Sequence, residues 1–350
     1  MNIIYLGEDR HCSTSFHRAQ ALERLQHKVE IHNPYESIIN KKGGNSLIKA
    51  FHYRTGYALL QKKMLFWLRS LKIERNNQLI WINSGELFGA DCLKYLQSLK
   101  VPVVLYNNDD PTGKRDGRRF RMVKEALSYY HLCAVRIEKP LEEFQALGCK
   151  SILQIFMSYD EKYHAPFPTR KEIPRQFISE VVFIGTWIRK DKRDFFLLKL
   201  IEAGIPLAIW GNRWQKSPLW SNLKSSYRGK ALGGKDYVAA IQGAKVCLGL
   251  LSKSNRDLHT RRSVEIPYAG GLLCAERSSL HLELYQENKE AVFWKDAEEC
   301  IKKCKALLQD AVKREKIRLA GMKRVRSNEL GNEKICKQIL SKVQSQYDSN

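Results

Sequence analysis

One pattern occurs twice in this chain and limits its possible folds more than any other feature. It is a short apolar run closed by glycine, then a polar loop, then apolar residues at helical spacing. The first copy is Asn2-Ile-Ile-Tyr-Leu6 with Gly7, followed by Phe16, Ala19, Leu22 and Leu25. The second is Glu180-Val-Val-Phe-Ile184 with Gly185, followed by a helical stretch over 195–203. Strand, loop and helix in that order make the first half of a βαβ unit, whose strands pair in parallel. Further runs continue each series: 28–32, 78–82, 101–106, 131–135 and 152–156 in the first half, and 206–210, 245–251 and 271–275 in the second. The expected fold is α/β, with two Rossmann-like parallel-sheet domains in tandem.

Tyr163-His-Ala-Pro-Phe-Pro-Thr-Arg-Lys-Glu-Ile-Pro174 separates the two series with three prolines and no periodicity, which predicts a linker. The expected organisation is a domain over 1–162, a linker over 163–176, a second domain over 177–325 and a C-terminal helix over 326–350 that returns to the first domain. The lysine-rich, helical stretch from Ala297 onward places Leu319, Met322, Val325 and Leu330 on one apolar face, and such a face must pack on something.

A 43% hydrophobic and 10% aromatic content argues for packed cores rather than disorder. The apolar run at the N-terminus is too short for a signal-peptide core, and no stretch is long enough to span a bilayer, so a cytoplasmic protein is expected, with peripheral membrane association open. Nine cysteines, an odd number without CxxC or Cys/His ligand spacing, predict reduced thiols that fill small spaces. Cys300 and Cys304, one helical turn apart, are the only pair whose spacing suggests redox chemistry. No metal site is expected.

The segment Asp257-Leu-His-Thr-Arg-Arg-Ser-Val-Glu-Ile-Pro-Tyr-Ala-Gly-Gly271 carries the most chemistry. It follows a strand and opens a short helix, and a helix N-terminus at the carboxyl end of a parallel strand favours a phosphate. Arg262 and Glu265, three residues apart, share a helix face: a cation for a diphosphate and a carboxylate for ribose hydroxyls. The same spacing also suits an ordinary surface ion pair.

These residues, together with Gly185-Thr-Trp187 and Arg193, Trp210-Gly-Asn-Arg-Trp214 and Asn108-Asp-Asp-Pro111, resemble the CgeB-like spore-maturation glycosyltransferases of the GT-B superfamily. The likeness is collinear over about 181–299. It implies two Rossmann-like domains facing across a cleft, with the acceptor on the first and a nucleotide-sugar donor, UDP- or another NDP-sugar, on the second. No other cofactor and no metal is implied. Gly185, Thr186 and Trp187 would border the donor phosphates, Arg193, assisted by Arg189, would neutralise the leaving diphosphate, and Gly211, Thr260, Arg262, Glu265 and Gly270 would complete the donor site. Gly229 and Lys230, in Tyr227-Arg-Gly-Lys230, resemble the loop that contacts the base, with Tyr237 in the helix beyond. Trp187 and Trp214 are candidates to flank that base, or to pack in a core. Glu265 matches the ribose-binding glutamate, but the upstream glutamate of the Glu-x7-Glu motif is replaced by Asp257, which is one methylene shorter.

A base for the acceptor hydroxyl is sought among Asp110, Asp109, Asp257 and His259. Gly7, His11 and Ser13 in the first loop, with His17 nearby, are expected on the acceptor side.

The formal charge of +23, from 60 Lys+Arg against 37 Asp+Glu, asks for an anionic partner. Between Lys41 and Arg75 basic residues interleave with aromatic ones, and Lys114-Arg-Asp-Gly-Arg-Arg-Phe-Arg121 adds a second patch. A glycan, lipid-linked or protein acceptor, or an anionic membrane surface, fits them. Two other readings compete: a GT-B protein that binds nucleotide or polysaccharide without turnover, and a basic nucleic-acid binder. No RNP, KH, zinc-finger or basic-zipper pattern supports the last, and no nucleic acid is expected.

Overall fold

The computed structural model describes residues 1–39, 46–74 and 78–347. The chain forms two compact units: Met1–Phe156 with Asn332–Asn350, and Met157–Gly331.

The first unit contains β1 (Asn2–Leu6), α1 (Thr14–Arg24), β2 (Lys28–His32), α2 (Ser46–Arg54), α3 (Gln61–Ser70), β3 (Leu79–Asn83), α4 (Ala90–Ser98), β4 (Val103–Asn107), α5 (Arg121–Ala126), β5 (Leu132–Arg136), α6 (Leu141–Gln145) and β6 (Ile152–Ile155). Its six strands pair in parallel in the order β2-β1-β3-β4-β5-β6. The central strands read as unbroken apolar runs because both sheet faces are covered. Ile4, Ile80, Val103 and Leu105 face α3 and α4. Their neighbours Tyr5, Trp81, Val104 and Tyr106 face the other way, where the rings stack at 6.2 and 5.9 Å.

The second unit contains β7 (Ser179–Ile184), α7 (Arg193–Glu202), β8 (Leu207–Trp210), α8 (Trp220–Leu223), β9 (Tyr227–Gly229), α9 (Gly234–Gly243), β10 (Ala244–Gly249), α10 (Arg261–Tyr268), β11 (Leu273–Glu276), α11 (Ser279–Leu284), β12 (Val292–Trp294), α12 (Ala297–Gln309) and α13 (Ala311–Ser327). Its strands are again all parallel, in the order β12-β11-β10-β7-β8-β9. This is the doubly wound order in which the direction of winding reverses between the first and fourth strands. Here that point lies between β7 and β10.

The last helix, α14 (Asn332–Tyr347), belongs to the first unit, where Ile335, Ile339, Leu340 and Val343 pack with α1 over the aromatic face of the sheet. Each such buried side chain contributes about 1.5–3 kcal/mol.

Four sequence expectations differ from the structure. The proline-rich segment 163–176 is part of the second unit: Phe167 exchanges two hydrogen bonds with the Gln242 side chain, at 2.8 and 2.9 Å, and Arg170 donates to the Gly243 carbonyl. Proline removes periodicity from a sequence without preventing it from packing. Tyr227–Gly229 is a short edge strand rather than a loop, and β12 has no counterpart among the expected strands. On α13 the buried stripe is Ile317, Gly321 and Val325, while Leu319 is exposed. The helix passes so close to the Glu290 carbonyl that a Cβ on Gly321 would lie 2.2 Å from its oxygen, so the packing face is centred on a residue that hydropathy ignores.

Candidate functional site

The candidate donor site lies at the carboxyl ends of β7 and β10. Gly185 ends β7, where its N–H donates to the Trp210 carbonyl at 2.8 Å and its own carbonyl accepts from Trp214 Nε1 at 2.8 Å. Gly211, at the end of β8, has φ +151°, and a Cβ there would sit 2.0 Å from the Gly185 oxygen. The two strand ends meet as bare backbone, which any side chain would wedge apart.

The loop after β7 alternates. Arg193 is buried, donates to the Thr186 carbonyl at 2.8 Å and pairs with Asp191. Burial, and secondarily Arg262, pull its pKa below the usual arginine value, against the pull of Asp191 and Asp257. The loop after β10 reaches the same group: Ser252 Oγ and Ser254 Oγ each donate to Asp191 at 3.3 Å, and Asp257 accepts from Asn255 Nδ2 at 2.6 Å and from the Ser252 N–H at 3.3 Å. Two guanidinium groups thus share one small region, and the Nε of Arg262 is buried without a hydrogen-bond partner.

Thr260 caps α10 in a reciprocal box with Ser263, whose hydroxyl also meets His281 Nε2 at 2.7 Å. One turn on, Glu265 is buried and accepts from the Tyr237 hydroxyl at 2.6 Å, with His164 Nε2 at 3.7 Å on its other oxygen. Burial raises its pKa, but His164, Arg261, the Tyr237 hydrogen bond and Arg262 together outweigh burial and hold the carboxylate below its ordinary value. Gly270, at φ +83°, ends the helix, and Gly229 leaves room for the Trp210 ring 2.8 Å from its missing Cβ. Lys230, next to Gly229 in the chain, is exposed.

The structure therefore gathers Gly185, Thr186, Arg193, Gly211, Asp257, Thr260, Arg262 and Glu265 from three loops of one sheet. Other expected site residues behave differently. Trp187 turns into the core and donates to Asp194 at 2.7 Å, and Trp214 is fully buried, edge-on to Phe183, so both rings pack rather than flank a base. Arg189 lines a separate cavity with Trp187 and Asp194. His259 is fully buried, and its Nε2 accepts from the Met157 N–H at 2.9 Å. An imidazole so engaged ties chain segments together, its Nε2 being taken up by the Met157 N–H.

In the first unit, Ser13 caps α1 by accepting from the Phe16 N–H at 3.1 Å, Gly7 leaves room for Ser15 Oγ, and the His11 ring is exposed against Phe16. His17 is buried, with its Nε2 against the His11 carbonyl. Asp110 is buried, accepts from the Gly113 N–H at 3.1 Å and lies 3.6 Å from the buried Lys139 ammonium. Its neighbour Asp109 is partly open and lies 3.4 Å from Arg119, which also binds the buried Glu86 at 2.5 Å. Burial raises the Glu86 pKa against the pull of Arg119.

Sequence reasoning overlooked Asp191, His164 and Glu86, and read Arg119 only as part of the basic patch 114–121. Asp191 carried a usable signal as the lone acid in Arg189-Lys-Asp-Lys-Arg193, whereas His164 and Glu86 reach their partners only through the fold. It also overlooked the meeting of Cys274 with Cys300 and Cys304, whose sulfurs lie within 4.8 Å of one another in the core of the second unit. Among the described residues this is the one cluster with metal-ligand chemistry, far removed in sequence spacing from any ligand motif.

Residues 189–341, somewhat under half of the chain, match a family described as glycosyl transferase-like. No curated protein matches the sequence. Among solved structures the chain is similar to sucrose-phosphate synthase from Thermosynechococcus elongatus, at 12% identity and a TM-score of 0.73, with 100% of both chains covered. It is similar to HepE of Anabaena in complex with UDP, at 14% identity and 0.66, over 99% of this chain and 100% of that one. It is also similar to an α,α-trehalose-phosphate synthase (UDP-forming) from Burkholderia xenovorans, at 10% and 0.62, over 98% and 100%. These likenesses show the GT-B fold. With the glycosyl transferase-like match over most of the second unit, the reading of this chain as a glycosyltransferase holds.

Proposed function

We propose that the second unit binds a UDP-sugar and that the chain transfers the sugar to a saccharide or lipid-linked acceptor held by the first unit. The observation that carries this is the convergence of the buried Arg193 with the partly buried Arg262, whose buried Nε–H is unpaired, beside the ionised Glu265. Transfer breaks the bond from the anomeric carbon to a phosphate oxygen as the acceptor hydroxyl attacks, and the departing electron pair stays on the diphosphate. Two guanidinium groups at that position stabilise the charge as it develops, which is a main term in such catalysis. They supply this without a metal, so activity is expected to survive a chelator. Glu265 takes the ribose hydroxyls and the backbone at Gly185 and Thr186 borders the phosphates. The residues Thr260 to Gly271 further support a CgeB-like member of the class.

On the acceptor side, Asp109 is the better candidate base, because Asp110 is committed to its own turn and to Lys139. The acceptor is expected at an anionic membrane surface. On α2 and α3, Leu47 (74% exposed), Ile48, Phe51 and Phe66 (77% exposed) stand in solvent among Lys49, Lys62, Lys63 and Arg69. Apolar side chains ringed by cations suit the headgroup boundary. Lys41, Lys42 and Arg75 of this basic stretch lie outside the described residues.

Calorimetric titration of UDP, UMP and uridine tests the donor reading. UDP should bind best, and Arg262→Gln should weaken UDP about tenfold or more while changing uridine little. Equal affinity for UDP and uridine would remove the diphosphate role. A binding protein without turnover is the second reading, favoured by Asp257, whose short carboxylate is held by Asn255 and Ser252. Release of UDP from a UDP-sugar in the presence of acceptor membranes separates the two.

A further inference from the structure

The second unit contains a cavity of about 590 Å³ on the other side of the β7 loop, between that loop and the one after β8. Arg189, Lys190, Lys192, Arg213 and Lys216 line it. Among the described residues none of the five has a carboxylate at ion-pair distance, although many cations elsewhere in the unit do, such as Arg277 with Glu287 and Glu299. The one carboxylate in the wall, Asp194, is committed: it accepts from Trp187 Nε1 at 2.7 Å, Ser217 Oγ at 2.6 Å and the Phe195 N–H at 3.1 Å.

The backbone adds a second observation. Lys190 (φ +73°), Lys192 (φ +54°) and Arg213 (φ +68°) all occupy the left-handed region, three of the ten non-glycine residues that do so among the described ones. Side chains of this kind are disfavoured there, and strain that persists tends to mark sites where geometry serves a ligand. Lys192 is also the cap residue of α7 and gives it no side-chain cap. Phe195 stands half exposed in the same wall, an aromatic face next to the cations. The volume is that of a small-molecule pocket.

We infer that this cavity is a second anion site, which takes a phosphorylated saccharide: the phosphomonoester among the five cations and the sugar ring against Phe195. It is separate from the donor diphosphate site because the loop alternates. Asp191 and Arg193 turn toward β10, while Lys190, Lys192 and Asp194 turn toward β8. The inference stands whether or not the donor is a UDP-sugar.

The test is thermal denaturation of the full chain with glucose 6-phosphate, glucose and inorganic phosphate at fixed ionic strength, each with and without saturating UDP. Glucose 6-phosphate should raise the melting temperature more than phosphate, glucose should leave it unchanged, and the shift should persist with UDP present. The triple variant Lys190→Gln, Lys192→Gln, Arg213→Gln should lose about tenfold or more in glucose 6-phosphate affinity and keep its UDP response. Should that variant fold poorly, Phe195→Ser should abolish the advantage of glucose 6-phosphate over phosphate. No shift with any phosphate, loss of the shift on adding UDP, equal shifts with phosphate and glucose 6-phosphate, or unaltered binding by the variants would each overturn the proposal. Absence of any UDP response would count against the donor reading alone.

Discussion

The Tyr237 hydroxyl donates a 2.6 Å hydrogen bond to Glu265, and both residues are buried. A tyrosine on α9 therefore positions the carboxylate of α10 to which the proposed function gives the donor ribose. Its own pKa is raised, first by burial and then by Glu265, so it stays a donor throughout the working range. Tyr237→Phe should weaken UDP binding about three- to tenfold through one lost hydrogen bond, measured by calorimetry. It should also raise the Glu265 pKa. An unchanged UDP affinity would show that this bond does not orient the site.

Glu265 also predicts a pH dependence. Its folded pKa lies below its unfolded value, so its contribution to stability is present above the unfolded pKa and is lost as pH falls through the folded one. Urea midpoints measured from pH 6 downward (about pH 4.3 being the ordinary glutamate value) should decline less steeply for Glu265→Gln than for the parent chain. Parallel curves would contradict the assignment.

Gly211→Ala should destabilise the second unit by about 2–3 kcal/mol, because the added methyl collides with the Gly185 carbonyl from a backbone already at φ +151°. Denaturant titration followed by tryptophan fluorescence reads it, since Trp214 is anchored to the same carbonyl. Gly204→Ala is the comparison: a Cβ there meets nothing within 4 Å, so only its positive φ opposes the change.

Asp194 fastens Trp187, Ser217 and the start of α7. Asp194→Ala should cost about 2–3 kcal/mol, because the Trp187 N–H is left buried without an acceptor. Burial raises the carboxyl pKa, but hydrogen bonds from Ser217 and Trp187 prevail and lower it, so this contribution too fades only as pH falls through the folded value. Stability equal to the parent chain would mean that Asp194 is dispensable.

Of the nine thiols only Cys12 is exposed. An aromatic disulfide reagent should titrate one cysteine rapidly in the native protein and the rest only on unfolding. Fast reaction of Cys274, Cys300 or Cys304 would show that their cluster opens to solvent.

Much of the architecture was legible in advance, because parallel strands buried on both faces print unmistakable apolar runs, as at Leu79–Asn83 and Ser179–Ile184. Arg262 and Glu265 were legible because their relationship is local, a single turn of one helix. The partnerships of Glu265 with His164 and Tyr237 were not, since each meets it across a long stretch of chain. The proline-rich segment was misread for the converse reason. Its contacts with Gln242 and Gly243 depend on where α9 ends, and nothing in its own composition records that.

The sequence by itself determined two parallel α/β sheets, a polar loop opening a helix at 257–271, and a large surplus of positive charge, because hydrophobic period and helix-turn spacing act over a few residues. Only the tertiary structure decided how that charge is used. It set Arg193 beside Arg262, sent Arg189 with four other cations into a separate cavity, and committed Asp110 to Lys139 while leaving Asp109 partly open. Electrostatic partnership depends on distance in space, and that distance is set by how the strands are ordered in the sheet.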